Sequence, residues 1–146
     1  MKSNLKYVLL VLMAVVVSSK ILSAQNNDES GVKSALNSLF DFSKSKAYEK
    51  AALLIAYDGE DKNRVQKDAF NPANKEELNQ VKRICKKISA LIELCSKHEF
   101  GTVRTKNDGV KDIYTIEVNF ISGDQKLVTS FSFVKGGKGY LLVNMN

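Results

Sequence analysis

The feature that most restricts the fold of this sequence is the alternation of apolar and polar residues in its C-terminal part. Four such stretches cover residues 100–105, 112–121, 127–134 and 140–145, and short segments rich in glycine, asparagine and aspartate separate them. Alternation with a period of two is typical of strands that bury one face, and the separating segments are typical of hairpin turns. The pattern predicts a meander of four antiparallel strands.

The turns between the last three predicted strands also predict which residues pair. A two-residue turn at Gly123-Asp124 sets the first register, and a turn at Gly136-Gly137 sets the second. Both registers place apolar residues on one face, whereas a slip of one residue would turn every side chain to the other face. The rows predicted for this inner face are Tyr114 with Phe133 and Tyr140, Ile116 with Phe131 and Leu142, and Val118 with Thr129 and Asn144.

The part of the chain before these strands has the period of helices. Residues 74–97 are predicted to form a long helix, with Asn74 as its N-cap and Glu77 in the capping-box position. Because a helix with one apolar stripe must bury it, we expect the helices to pack on the inner face of the sheet, in an α+β fold. The two shorter predicted helices are one that Ser30 caps and that breaks at residues 42–45, and one over residues 46–57.

This order of elements resembles the cystatin-like fold of the nuclear transport factor two-like superfamily, and especially its small exported bacterial domains of unassigned function. Two segments carry the local similarity: Lys46 to Ala52 in the second predicted helix and Phe131 to Val143 in the closing hairpin. The resemblance implies three N-terminal helices packed on one face of a curved four-stranded antiparallel sheet. Ketosteroid isomerases and related dehydratases of this superfamily bind an apolar ligand between helices and sheet, with a carboxylate or histidine base.

The N-terminal residues predict export. Lys2 and Lys6 precede an apolar run over residues 7–17, and small residues lead to Ala24, as in a signal peptide. The run of eleven residues is too short to span a bilayer, so we expect a periplasmic or secreted protein with no stable membrane span after cleavage. The predicted parts are a signal peptide over residues 1–24, a disordered leader over residues 25–30 and one domain over residues 31–146, with cleavage after Ser19 as the alternative.

Cleavage would remove part of the positive charge. The full chain has 22 lysine and arginine residues against 16 acidic residues, and the predicted signal carries three lysines and no acidic residue. The mature chain would have 19 basic and 16 acidic residues, a net charge of +3, which is a weak footprint for a nucleic-acid-binding protein. We expect no nucleic-acid partner. The lysines opposite the apolar stripe of the long helix are interpreted as a solvated face, with an envelope component as the alternative partner.

The two cysteines are predicted to stay unpaired. Cys85 and Cys95 lie ten residues apart on the long predicted helix. Their Cα atoms would be about 15 Å apart, beyond the reach of a disulfide, and both are interpreted as small core residues. With a single histidine, His98, and both thiols on the buried face of the helix, the sequence predicts no metal site and no cofactor.

The predicted inner face lacks the group that general base catalysis needs, because Glu117 points outward in this register. We therefore predict no catalytic residue and favour an exported, non-enzymatic binding or interaction module that holds a small apolar ligand between helices and sheet. The alternatives are a small isomerase, dehydratase or hydrolase that uses the same cavity, and a structural homodimer through Val128, Leu141, Val143 and Met145 on the outer sheet face. The predicted ligand-binding residues are Tyr114, Thr129, Phe131, Tyr140 and Asn144.

Overall fold

Helix α1 covers residues 27–44 of the computed structural model, which describes residues 27–146. The predicted signal peptide over residues 1–24 lies outside the described residues. Residues 27–30, which belong to the predicted disordered leader, are helical, so the helix includes Ser30 instead of beginning after it. The N-cap predicted at Ser30 is therefore wrong.

Helix α1 also continues through the predicted break at residues 42–45. Leu36, Leu39 and Ser43 are buried at helical spacing, so the stripe that faces the core extends into this segment. The last turn closes where the backbone N–H and the hydroxyl of Ser45 both donate to the Asp41 carbonyl, at 2.9 and 2.7 Å.

Helix α2 covers only Tyr48–Ala52, whereas the sequence predicted a helix that extends to Tyr57. The chain beyond α2 pairs with the last strand of the sheet. The Ala56 N–H donates to the Leu142 carbonyl and the Leu142 N–H donates to the Leu54 carbonyl, both at 2.8 Å. The edge of a sheet offers unpaired backbone groups, and here this tertiary pairing overrides the helical period of the segment.

Helix α3 covers Lys75–Glu93 and begins where it was predicted. The Asn74 side chain accepts hydrogen bonds from the N–H groups of the second and third helical residues, at 3.0 and 3.2 Å, which confirms Asn74 as the N-cap. The helix ends before the predicted Lys97, because the Ser96 N–H already donates to the Ile121 carbonyl in the sheet, at 2.8 Å.

The sheet has four antiparallel strands in the order β1-β2-β3-β4, which confirms the predicted meander. Helices pack on its inner face, so the predicted α+β class is also confirmed. The strands are β1 Lys97–Asn107, β2 Asp112–Ser122, β3 Gln125–Gly136 and β4 Gly139–Met145.

The register between β2 and β3 is the predicted one. Tyr114 pairs with Phe133, Ile116 with Phe131, and the turn is Gly123-Asp124. Phe131 and Phe133 have no solvent exposure, so this face of the sheet forms the floor of the main core. The prediction is correct here because the sequence between these two strands offers one two-residue turn, Gly123-Asp124.

The register between β3 and β4 differs from the prediction. Gly136 pairs with Gly139 and Lys135 with Tyr140, so the turn is Gly137-Lys138. The backbone of Gly139 has φ +134°, a conformation that residues other than glycine rarely adopt. The three neighbouring glycines allow several turns. The positive φ at Gly139 goes with the turn at Gly137-Lys138.

An irregularity in the ladder between Ser132 and Phe133 shifts the register again and places Asn144 opposite Ser132. Thr129 and Asn144 therefore do not face each other across the strands, and their predicted pairing is wrong. Asn144 is exposed, whereas Thr129 is buried.

A second, smaller cluster on the opposite face of the sheet buries Ala56, Val134 and Leu141. Phe133 and Leu142 belong to the main core, and successive side chains in a strand point to opposite faces. Leu141 is thus covered, and Met145 packs against the main core, so neither contributes to the outer surface predicted for a homodimer. Of the four residues predicted for that surface, Val143 packs against the smaller cluster and Val128 is 48% exposed.

Candidate functional site

Four of the five predicted ligand-binding residues are packed into the core. Tyr114, Thr129, Phe131 and Tyr140 are all buried, and the two tyrosine rings meet edge to face with their centroids 5.2 Å apart. Gly31 of α1 lies so close to the Tyr140 ring that a β-carbon there would overlap it. The side chains of the protein itself fill the centre of the inner face.

Asn144, the fifth predicted residue, lines a separate cavity of about 300 Å³ between α3 and β4. Its side-chain oxygen accepts a hydrogen bond from the Met145 N–H at 2.9 Å. Ile84 and Lys87 of α3 and Phe70 form the opposite wall. The structure therefore does not bring Asn144 together with the other four residues.

The largest of the cavities described is a cleft of about 760 Å³ between the C-terminal end of α3 and the β2–β3 hairpin. We call it the α3–hairpin cleft. The residues that line it are Leu91, Leu94, Cys95, Phe120, Ser122, Gln125, Lys126 and Leu127.

The cleft forms because the hairpin extends beyond the end of α3. Leu127 pairs with Phe120 on the inner face of the sheet, yet it is 54% exposed, whereas Phe120 is 3% exposed. Leu94 caps α3 and is 76% exposed. Apolar side chains exposed next to each other in a concave surface are typical of a binding site.

Polar and apolar groups occupy different parts of this cleft. Ser122, Gln125 and Lys126 surround the Gly123-Asp124 turn, and all three are exposed. The apolar lining comes from the end of α3 and from the inner row of the hairpin. Neither a carboxylate nor an imidazole is among the residues that line the cleft.

The acidic residue nearest in the ladder, Glu99, already has a partner. The Lys97 ammonium donates to Glu99 Oε1 at 2.9 Å and holds the pKa of this carboxyl below its usual value, with a smaller contribution from Lys126. The ion pair is exposed and screened by solvent. Lys126 is the one lysine among the residues that line the cleft, but it pairs with Ile121, so its side chain points to the outer face of the sheet, as do those of Lys97 and Glu99, and not to the inner face with Leu127.

Both cysteines are free, as predicted. Cys85 is buried in the main core, and burial raises the pKa of its thiol. Cys95 lies beyond the end of α3 on the wall of the cleft, is partly buried, and donates through its thiol to the Ile92 carbonyl at 3.3 Å.

A polar contact of several hydrogen bonds lies elsewhere, at the start of α3. Glu77 is 7% exposed and accepts hydrogen bonds from Arg64, at 2.9 and 3.1 Å, and from the Asn71 N–H at 2.6 Å. The Arg64 guanidinium also lies 4.1 Å from the centroid of the Tyr57 ring. The bond from Arg64 lowers the pKa of Glu77. Glu77 thus anchors the preceding loop instead of completing a capping box with Asn74, so that prediction is wrong.

The described residues contain no cluster of three or more histidine, cysteine, aspartate or glutamate side chains suited to a metal ion. His98 lies in β1, is exposed, and contacts the Phe40 ring edge to face at 5.3 Å. Among residues 27–146, no helix is both long and apolar enough to cross a membrane.

Comparison with known proteins identified no relative: no protein-family model, curated protein or solved structure matches this chain.

Proposed function

We propose that this protein is an exported, non-enzymatic binding module that holds a small apolar ligand in the α3–hairpin cleft. The observation that carries the proposal is the cleft itself, with its volume of about 760 Å³ and the exposed side chains of Leu94 and Leu127. Sites for small molecules usually measure about 300–1,000 Å³ and are mostly apolar with a few polar groups. The predicted ligand class is kept, while the site lies at the end of the inner face instead of its centre.

We also propose that the fold is the nuclear transport factor two-like arrangement of three helices on a curved sheet. The order of elements supports this: α1, α2, a short extended segment that pairs with β4, α3 and then four antiparallel strands. This assignment fixes no activity, because one fold supports many functions.

The enzymatic and homodimer alternatives have less support. General base catalysis needs a suitably placed titratable group, and the lining of the cleft offers neither carboxylate nor imidazole. The homodimer alternative is weakened because Leu141, one of the residues predicted for its surface, is only 7% exposed.

Binding of the neutral apolar dye N-phenyl-1-naphthylamine to the mature protein tests the proposal. The double variant Leu94→Gln/Leu127→Gln removes apolar surface from the cleft, and we expect dye affinity to fall about tenfold, which corresponds to about 1.4 kcal/mol. Leu53→Gln is the matched control, because Leu53 is 56% exposed and lies outside the cleft. Absence of dye binding, or an equal loss in the control, would overturn the proposal.

A further inference from the structure

We infer that the ligand of the α3–hairpin cleft is an uncharged amphiphile, with an apolar chain and a neutral polar end of the hydroxyl or carboxamide class. This inference rests on the proposed function, because it specifies the ligand of the same site. It follows from which side chains face the cleft and which face the other side of the sheet.

The two polar side chains of the hairpin that face the cleft are neutral. Ser122 pairs with Gln125 at the end of the hairpin, two residues along each strand from the pair of Phe120 with Leu127. Because alternate residues of a strand point to the same face, both polar side chains lie on the inner face with these two apolar ones. Within residues 27–146, neither polar side chain has a hydrogen-bond partner. Both are therefore available to a ligand.

The charged side chains of the strands at this end of the sheet lie on its outer face. Lys126 pairs with Ile121, which pairs in turn with Lys97. Glu99 lies two residues from Lys97 in β1 and so points to the same outer face. A charged ligand end at the inner face would lose part of its hydration without meeting an opposite charge. That loss costs more free energy than the burial of a neutral polar group that has hydrogen-bond partners.

Both ends of the cleft disfavour an anion in particular. The C-terminal end of α3 carries partial negative charge, and its last turn contains no basic residue to offset it. At the other end, Asp124 lies in the hairpin turn between Ser122 and Gln125. A serine hydroxyl and a glutamine carboxamide each donate and accept hydrogen bonds, so they match a ligand hydroxyl or carboxamide, which does the same.

The apolar chain of the ligand then occupies the rest of the cleft. The walls there are Phe120 and Leu127 on the sheet and Leu91 and Leu94 at the end of α3. With its polar end at the hairpin turn, the ligand covers the exposed side chains of Leu94 and Leu127, and the burial of this apolar surface supplies the affinity.

Decanamide and decanoate test this inference, because they have the same chain and a head group of similar shape and differ in charge. Displacement of N-phenyl-1-naphthylamine from the mature protein at neutral pH, where decanoate is ionised, measures both affinities. We expect decanamide to bind about three- to tenfold tighter than decanoate, since one or two neutral hydrogen bonds make a modest net contribution. The cationic decyltrimethylammonium should also bind more weakly than decanamide.

The double variant Ser122→Ala/Gln125→Ala should abolish the preference for decanamide and leave dye affinity unchanged, because the dye has neither a hydroxyl nor a carboxamide. Lys126→Gln is the matched control on the outer face of the same hairpin, and it should leave the preference unchanged at physiological salt. Equal affinity for the two ligands, tighter binding of decanoate, or a preference that survives in the double variant would overturn this inference while the apolar site stands. Failure of the dye and of both ligands to bind would overturn the proposed function as well.

Discussion

Removal of the Glu77 carboxylate should destabilise the fold strongly, although the residue lies in a first helical turn where glutamate is usually exposed. The carboxylate accepts two hydrogen bonds from Arg64 and one from the Asn71 N–H. These bonds fasten the loop between α2 and α3 to the start of α3. Glu77→Ala deletes all three bonds: the Asn71 N–H loses this acceptor, whereas Arg64 keeps its bond to the Ala69 carbonyl at 3.4 Å.

The expected loss is about 2–3 kcal/mol. An unsatisfied buried donor costs about 1–3 kcal/mol, and breaking a fully buried ion pair costs about 3–5 kcal/mol. The Arg64 side chain is 30% exposed, so water can solvate the guanidinium in part, and the loss should stay below the value for a buried pair. Glu77→Gln keeps an oxygen for the Asn71 N–H, and we expect it to cost about half as much.

Urea titration at pH 7 measures these free energies of unfolding. Glu76→Ala is the matched control, because Glu76 occupies the same turn and is exposed, and it should change stability by less than about 0.5 kcal/mol. Equal losses at Glu76 and Glu77 would refute the reasoning, since the difference rests on burial and on the bonds to Arg64 and Asn71.

The pH dependence gives an independent check with a definite sign. The pKa of Glu77 is lowered in the folded protein by Arg64, whereas in the unfolded chain it should be near the ordinary value of about 4.3. The stabilisation is therefore complete above about pH 5 and is lost as pH falls through the folded pKa. The stability difference between wild type and Glu77→Gln should be constant from pH 7 to about pH 5 and shrink below it. A difference that grows in acid would contradict this sign.

Three further predictions concern the core, the thiols and the N-terminus. In a denaturant titration, Phe131→Ala should lower the free energy of unfolding by about 3–5 kcal/mol. Ser132→Ala, which changes the neighbouring residue on the other face of the sheet, should lower it by less than about 1 kcal/mol. Similar losses in the two variants would contradict the described β2–β3 register. A thiol reagent should react with the partly buried Cys95 first and leave Cys85 unmodified until the protein unfolds. Mass spectrometry should find no disulfide between the two cysteines. Exported protein should begin at Gln25 by N-terminal sequencing, and stable recovery of the full-length chain in membranes would contradict export by a cleaved signal.

The two hairpin registers illustrate what the sequence can specify. Gly123-Asp124 offers one two-residue turn, and the alternating pattern on both sides agrees with it, so the β2–β3 register is predictable. The segment after Lys135 contains three glycines around Lys138, and several turns satisfy the same pattern. The choice depends on where the positive φ falls, at Gly139, and on the irregularity beside Ser132, which no local signal reveals.

The chain between α2 and the polar loop shows a different limit. Its apolar residues fit a helix as well as a strand, because short apolar runs do not distinguish the two. The pairing of Ala56 and Leu54 with Leu142 decides the outcome, and this contact spans most of the domain sequence. Likewise, the Glu77 contact with Arg64 joins residues thirteen positions apart through a loop without periodic pattern.

The candidate site depended on the end of one helix. The sequence predicts a helix that extends to Lys97 and a ligand site at the centre of the inner face. The actual end at Glu93 leaves the hairpin uncovered. Element boundaries are the least predictable part of a sequence-based assignment, and here the boundary creates the cleft.

The exposure of Leu94 and Leu127 leads to a last prediction, which separates a binding site from a defect in packing. Apolar surface left in water costs about 25 cal/mol per Å², and neither leucine is buried in the core. If their role is to contact a ligand, Leu94→Gln/Leu127→Gln should keep the free energy of unfolding within about 1 kcal/mol of wild type, in the absence of ligand, while dye affinity falls about tenfold. A ligand that binds the native state should raise the melting temperature of the wild type and not of the variant. A variant that is several kcal/mol less stable without ligand would mean that these leucines hold the hairpin against α3, and the cleft would then be a gap in the core.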